Sequence, residues 1–196
     1  MTVPTKLTLL RILLTFLIMG LLFVPGWMPK ATALGCFLLA GGTDWLDGYL
    51  ARRWSQTTSL GALLDPIADK VLVLGLFLAF VQLRLIPAWM VLIIALREFL
   101  ITGVRLFTAS RHVVLPAAQE GKHKMVSQVA TIVVILLALT VQEFIGASSV
   151  SHGLRLGMHW VVLGCLWVTM GLTVISGASF FWRHRMALLD AATKKP

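Results

Sequence analysis

Charged side chains are scarce in this chain: Asp, Glu, Lys and Arg make up 13% of 196 residues, and only eight are acidic. Soluble globular domains carry about 25%, so the polar surface needed to cover a water-soluble core is missing. Cysteine is nearly absent. Cys36 and Cys165 each lie inside an apolar run and no C-x-x-C spacing occurs, which argues against a disulfide framework or a thiolate metal site. Strict alternation of apolar and polar residues is missing too, and the apolar runs far exceed strand length, so a β-barrel is not expected. No internal repeat or low-complexity tract occurs. His112, His123, His152, His159 and His184 form no ligand-like grouping and read as interfacial or loop residues.

What is present is apolar. Hydrophobic residues form 58% of the chain and the mean hydropathy is +0.90. The expected class is an all-α integral membrane protein, with room for six spans of about 20 residues each. Helices are predicted over about 5–25, 31–53, 59–83, 87–110, 118–142 and 155–182, with short connections that make neighbours antiparallel. Pro25-Gly26 stops the first, and Pro87 suits the first turn of the fourth. Residues 1–185 read as one six-helix transmembrane domain, followed by a short polar cytoplasmic tail, 186–196, expected to fray.

The net charge of +9 does not point to nucleic acid, because Lys and Arg cluster at the ends of apolar runs. Lys6, Arg11, Arg52, Arg53, Arg105, Arg111, Lys122, Lys124, Arg183, Arg185, Lys194 and Lys195 fall on one side; Lys30, Arg84 and Arg155 fall on the other. This asymmetry predicts that both termini face the cytoplasm. A cleavable signal peptide ending near "ATA" at 31–33 is the competing reading of the N-terminus. Pro29-Lys30 sits where cleavage prefers small neutral residues, and removal would leave an odd number of spans. Trp27, Trp54, Trp89 and Trp182 lie near helix ends, as in an aromatic belt.

Half of the acids fall in one stretch, "TDWLDGYLARRWSQTTSLGALLDPIADK", residues 43–70. Asp44 and Asp47 are three apart on the second helix, and Asp65 and Asp69 four apart on the third. Either spacing puts a pair on one helix face. Arg52 follows Asp47 by five residues, so the acids lie one to two turns below the cytoplasmic surface. Four converging carboxylates would take up protons or hold cations. Oxygen donors without nearby His or Cys favour Mg²⁺ or Mn²⁺, and two such ions would make a clamp for phosphoryl chemistry. Gly48, Ala51 and Gly61 let a nucleotide or phosphate approach the backbone, and Arg52 supplies a fixed positive charge. Small residues such as Gly41, Gly42, Gly48 and Gly61 also let membrane helices pack closely, which explains the glycines but not the acids. Intramembrane acids also serve ion-coupled transport, although transporters place them nearer the midplane and between internal repeats.

The ordered pattern Asp44-x₂-Asp47-Gly48-x₂-Ala51-Arg52-x₈-Gly61-x₃-Asp65-x₃-Asp69 resembles, at every fixed position, the signature of the CDP-alcohol phosphatidyltransferases. The resemblance implies transfer of a phosphatidyl group from a CDP-linked lipid to an alcohol, with release of CMP. It implies two metal ions, Mg²⁺ or Mn²⁺, on Asp44, Asp47, Asp65 and Asp69, and CDP contacts from Asp44, Gly48, Ala51, Arg52, Gly61 and Asp65. It makes Asp69 the catalytic base for the attacking hydroxyl. A homodimer in the bacterial cytoplasmic membrane, with the active site facing the cytoplasm, is also implied.

Outside the signature, "VPTKLTLLR" at 3–11, "LREFLITGVRL" at 96–106 and "GKHKMVSQ" at 121–128 resemble the bacterial phosphatidylglycerophosphate synthase branch of that family. Met125 departs from it, standing where those synthases often carry Thr. The implied substrates are CDP-diacylglycerol and glycerol 3-phosphate, with Thr8, Arg11, Arg105, Lys122 and Lys124 receiving the acceptor phosphate. Inositol phosphate, serine or phosphatidylglycerol are the alternative acceptors within the family. Arg97 and Arg105, eight apart, are expected on one face of the fourth helix. Arg97 lies deep in an apolar helix and must find an internal partner, Glu98 or the aspartates.

Overall fold

The computed structural model describes the backbone of residues 3–54, 59–110, 120–146 and 152–193, and the side chains of residues 8–42, 67–109, 123–146 and 153–185. The described residues form six helices and no strand: α1 (Val3–Phe23), α2 (Trp27–Trp54), α3 (Ser59–Gln82), α4 (Ala88–Ser110), α5 (Glu120–Ile145) and α6 (His152–Thr193). The six expected helices are all present. The main difference is at the C-terminus, where α6 runs on as helix to Thr193. Met, Ala and Leu in "MALLDAAT" are strong helix formers, and that propensity outweighs the polarity read as fraying.

Among the described residues, two helical stretches are long and apolar enough to cross a membrane, His123–Ile145 and Gly153–Arg185. Large apolar side chains such as Leu13, Phe16, Leu39, Phe99, Val126 and Ile175 point outward. Outward apolar faces on every helix suit a lipid solvent rather than water, and the protein is a membrane-associated helical protein.

The chain forms two compact units. The first holds residues 1–86 and 132–162, the second 87–131 and 163–196. In the first, α1 packs against both α2 and α3. Its inward stripe, Thr8, Arg11, Thr15, Ile18 and Leu22, follows the three-and-four spacing of one helix face. Close approach of α1 to α3 depends on Gly75: a Cβ there would stand 3.0 Å from Thr15 Cγ2 and 3.4 Å from Met19 Sδ. The second unit is built from α4, the first half of α5 and most of α6, with Ile94, Ile101 and Leu166 buried.

Helix ends in the first unit are closed internally. Gly26 has φ 104°, and Lys30 Nζ donates to Leu22 O and Val24 O at 2.6 Å each, capping the last carbonyls of α1. Lys30, expected as one of the few charges on the far side, is thus buried as a helix cap. The end of α3 closes with Leu85 N donating to Phe80 O and Arg84 N to Val81 O, both at 2.9 Å. This is the Schellman pattern.

Gly75→Val should destabilise the protein by about 1–3 kcal/mol through overpacking, seen as a lower Tm in detergent. Gly20→Ala, where nothing lies within 4 Å of the added carbon, should hold or raise the Tm, because Ala outranks Gly inside a helix.

Candidate active site

In the first unit the site is built on α1 and α3. Apolar neighbours exclude water from the α1 face that carries Thr8 and Arg11, and both side chains are buried. A guanidinium in that setting needs an anion. Arg11 Nη1 donates to Asp69 Oδ1 at 2.7 Å, with the arginine side chain 2% exposed and the aspartate 36%. Thr15 Oγ1 donates to Arg11 O at 2.9 Å, extending a polar column along α1. One signature carboxylate is therefore fixed by one of the expected acceptor-site cations. The Asp69 side chain is 36% exposed, so it is also reachable from outside the α1–α3 contact.

The remaining signature positions are helical in backbone. Asp44, Asp47, Gly48, Ala51 and Arg52 lie on the last turns of α2, and Gly61 and Asp65 on the first turns of α3. Their side chains, like that of Lys122, lie outside the described residues. Both helices pack against α1. The donors are all hard carboxylate oxygens, and Asp69 is accessible, which is the chemistry that Mg²⁺ or Mn²⁺ accepts.

The second unit holds a separate polar cluster on α4, α5 and α6. Glu98 accepts a hydrogen bond from Lys124 Nζ, and its Oε1 lies 3.5 Å from Arg97 Nη1. Arg97 Nη2 donates to Ser176 Oγ at 3.1 Å, and Ser176 Oγ donates to Thr173 O at 3.1 Å. Gly177 makes room for the arginine: a Cβ there would stand 3.2 Å from Arg97 Cγ. Below them, the Thr131 and Thr169 hydroxyls share a bond of 2.9 Å, and Thr169 Oγ1 donates to Ser127 O at 3.1 Å. Among the described residues, Arg97 Nε, Gln128 Nε2 and Thr173 Oγ1 are buried without a hydrogen-bond partner. Such groups in an apolar helix layer cost about 1–3 kcal/mol each unless water or a ligand meets them.

Glu98 was among the partners expected for Arg97. Ser176, Thr169 and Thr173 were missed. Their signal is the spacing of four and three along α6, matched by Lys124, Gln128 and Thr131 on α5 and by Thr8, Arg11 and Thr15 on α1. Arg105 is exposed, while the Arg97 side chain is 12% exposed.

A family profile for CDP-alcohol phosphatidyltransferase matches residues 1–175. The chain belongs to the CDP-alcohol phosphatidyltransferase family. As a member of that family it is an enzyme, a CDP-dependent phosphatidyltransferase. Similar proteins named CDP-diacylglycerol–glycerol-3-phosphate 3-phosphatidyltransferase come from several bacteria. The Bacillus subtilis protein is 35% identical, the match covering 94% of this chain and 96% of the relative. For Cereibacter sphaeroides the values are 31%, 96% and 98%, and for Rickettsia typhi 31%, 91% and 94%. Similarity of this extent spans the α4–α6 cluster as well as the aspartate signature, so the family assignment does not rest on the signature alone.

Glu98→Ala should destabilise the protein by about 3–5 kcal/mol, because it removes the carboxylate that meets the buried Lys124 ammonium. Adding Lys124→Met to it should recover most of the lost Tm, and a double-mutant cycle on thermal unfolding measures this coupling.

Proposed function

We infer that the protein transfers the phosphatidyl group of CDP-diacylglycerol to sn-glycerol 3-phosphate, giving phosphatidylglycerophosphate and CMP in phospholipid biosynthesis. The near full-length similarity to bacterial enzymes named for that reaction carries this reading. The aspartate signature at 44–69 supports the nucleotide half of it. The chain is read as one catalytic domain, residues 1–185 with a cytoplasmic tail, whose six helices all span the bacterial inner membrane. Both termini and the active site face the cytoplasm, and the protein works as a homodimer. Basic residues at the cytoplasmic helix ends support this orientation.

Asp44, Asp47, Asp65 and Asp69 are the residues that would hold two Mg²⁺ or Mn²⁺ ions, whose chemistry when bound is to neutralise the pyrophosphate and the departing CMP. Asp44, Gly48, Ala51, Arg52, Gly61 and Asp65 bind the CDP moiety, the small residues admitting it close to the backbone. Asp69 accepts the proton of the glycerol 3-phosphate hydroxyl as that oxygen attacks the phosphorus bearing the diacylglycerol. Arg11 holds the Asp69 carboxylate in one orientation through its 2.7 Å bond, which supports a positioning role beside its role toward the acceptor phosphate. Thr8, Arg105, Lys122 and Lys124 complete the set assigned to that phosphate. Lys124 is already held by Glu98, so it meets an anion with its orientation fixed.

CMP release from CDP-diacylglycerol, measured with a panel of acceptors, tests the assignment. Glycerol 3-phosphate should support turnover while serine, inositol phosphate and phosphatidylglycerol do not; turnover with one of those instead would reassign the acceptor. Asp69→Asn should lower kcat by about 10²–10⁴-fold, the range expected for loss of a general base. Chelation by EDTA should abolish CMP release, and Mg²⁺ or Mn²⁺ should restore it. Metal-independent turnover would overturn the two-ion reading.

A further inference from the structure

At the end of the first unit remote from the aspartates lies a cavity of about 150 Å³. Arg84, Gln142, Arg155 and His159 line it, with Leu139 and Val162 among its apolar wall. Asp69 and the end of α3 at Gln82 are separated by about 20 Å of helix, so the cavity is no part of the carboxylate site.

Two independent features mark it. The first is charge placement. By the sequence asymmetry, only Lys30, Arg84 and Arg155 fall on this side of the chain. Lys30 caps α1. The other two arginines, from the α3 end and the start of α6, face the same cavity although nothing in the chain's local order brings them together.

The second is backbone conformation. Arg84 has φ 57°, making it a non-glycine residue in the left-handed region among the described residues. It occupies the position of a Schellman turn that glycine fills most cheaply. An L-residue there costs about 1 kcal/mol. The chain tolerates that cost and has a guanidinium in the cavity lining.

We propose that this cavity binds a phosphate-bearing anion, with Arg84 and Arg155 donating to its oxygens and Gln142 and His159 supplying further polar contacts. Arginine forks match phosphate oxygens in pairs. The apolar wall beside them suits the glycerol and upper acyl carbons of a phospholipid headgroup, while a free phosphate shares the same anionic chemistry.

The experiment uses the full-length protein in phosphatidylcholine nanodiscs, titrated with phosphatidylglycerol and, separately, inorganic phosphate, with binding read by native mass spectrometry. The pair Arg84→Gly and Arg155→Gln should weaken binding by about tenfold or more, as expected for lost charge-assisted hydrogen bonds. Phosphatidylglycerol retained in the presence of millimolar phosphate identifies the lipid as the ligand; displacement identifies the free anion. Arg84→Gly alone relieves the left-handed strain, so its Tm should hold or rise while binding falls, separating ligand loss from misfolding. CMP release should be unchanged in both variants, so this test is independent of the phosphatidyl-transfer assignment. If the double variant binds phosphatidylglycerol and phosphate as tightly as the unmodified protein, the proposal is wrong.

Discussion

A charge placed among apolar helices must be answered by another group from the same protein, and this constraint orders both units of the structure. Arg11 and Asp69 answer each other across α1 and α3. Glu98 answers both Lys124 and Arg97. Lys30 is answered by two carbonyls at the end of α1. Replacing both members of a buried ion pair by apolar residues often costs little. Removing one partner alone is different, because it leaves a buried charge without its counter-ion.

The same constraint ties packing to function. Gly75 lets α1 lie close enough to α3 for a guanidinium on one to reach a carboxylate on the other. Gly177 does the equivalent service for Arg97 on α6. In both cases a missing side chain, not an added contact, sets the geometry of a charged group. Small residues in membrane helices are usually read as packing devices; here they also set where a charge sits. Mutating them would therefore affect positioning and stability together.

Much of the fold was legible in the sequence. Six apolar stretches of helical length, separated by Pro-Gly and charged punctuation, mark six helices with ends within a few residues of those observed. The extension of α6 to Thr193 was not, because the polarity of the last segment was weighted above the helix propensity of its Met, Ala and Leu. The signature aspartates were legible because their spacing is ordered along two adjacent helices. The α4–α6 cluster was only half legible. Lys124, Gln128, Arg97 and Glu98 carry charge or amide groups that stand out in an apolar run, whereas Thr169, Thr173 and Ser176 do not. Hydroxyls hide in apolar helices because they can bond to their own backbone, as Thr15 and Thr140 do.

The sequence by itself determined the class of solvent, the helical count and the family, since each depends on composition or on spacing within one or two helices. Tertiary structure alone decided which charge meets which: that Arg11 holds Asp69, that Glu98 holds Lys124 as well as Arg97, and that Arg105 turns outward. It also decided that Lys30 is a helix cap and that Arg84 and Arg155 share a cavity. Pairing of this kind depends on distances between residues up to 79 positions apart, and periodicity along a helix says which way a side chain points but not what stands opposite it.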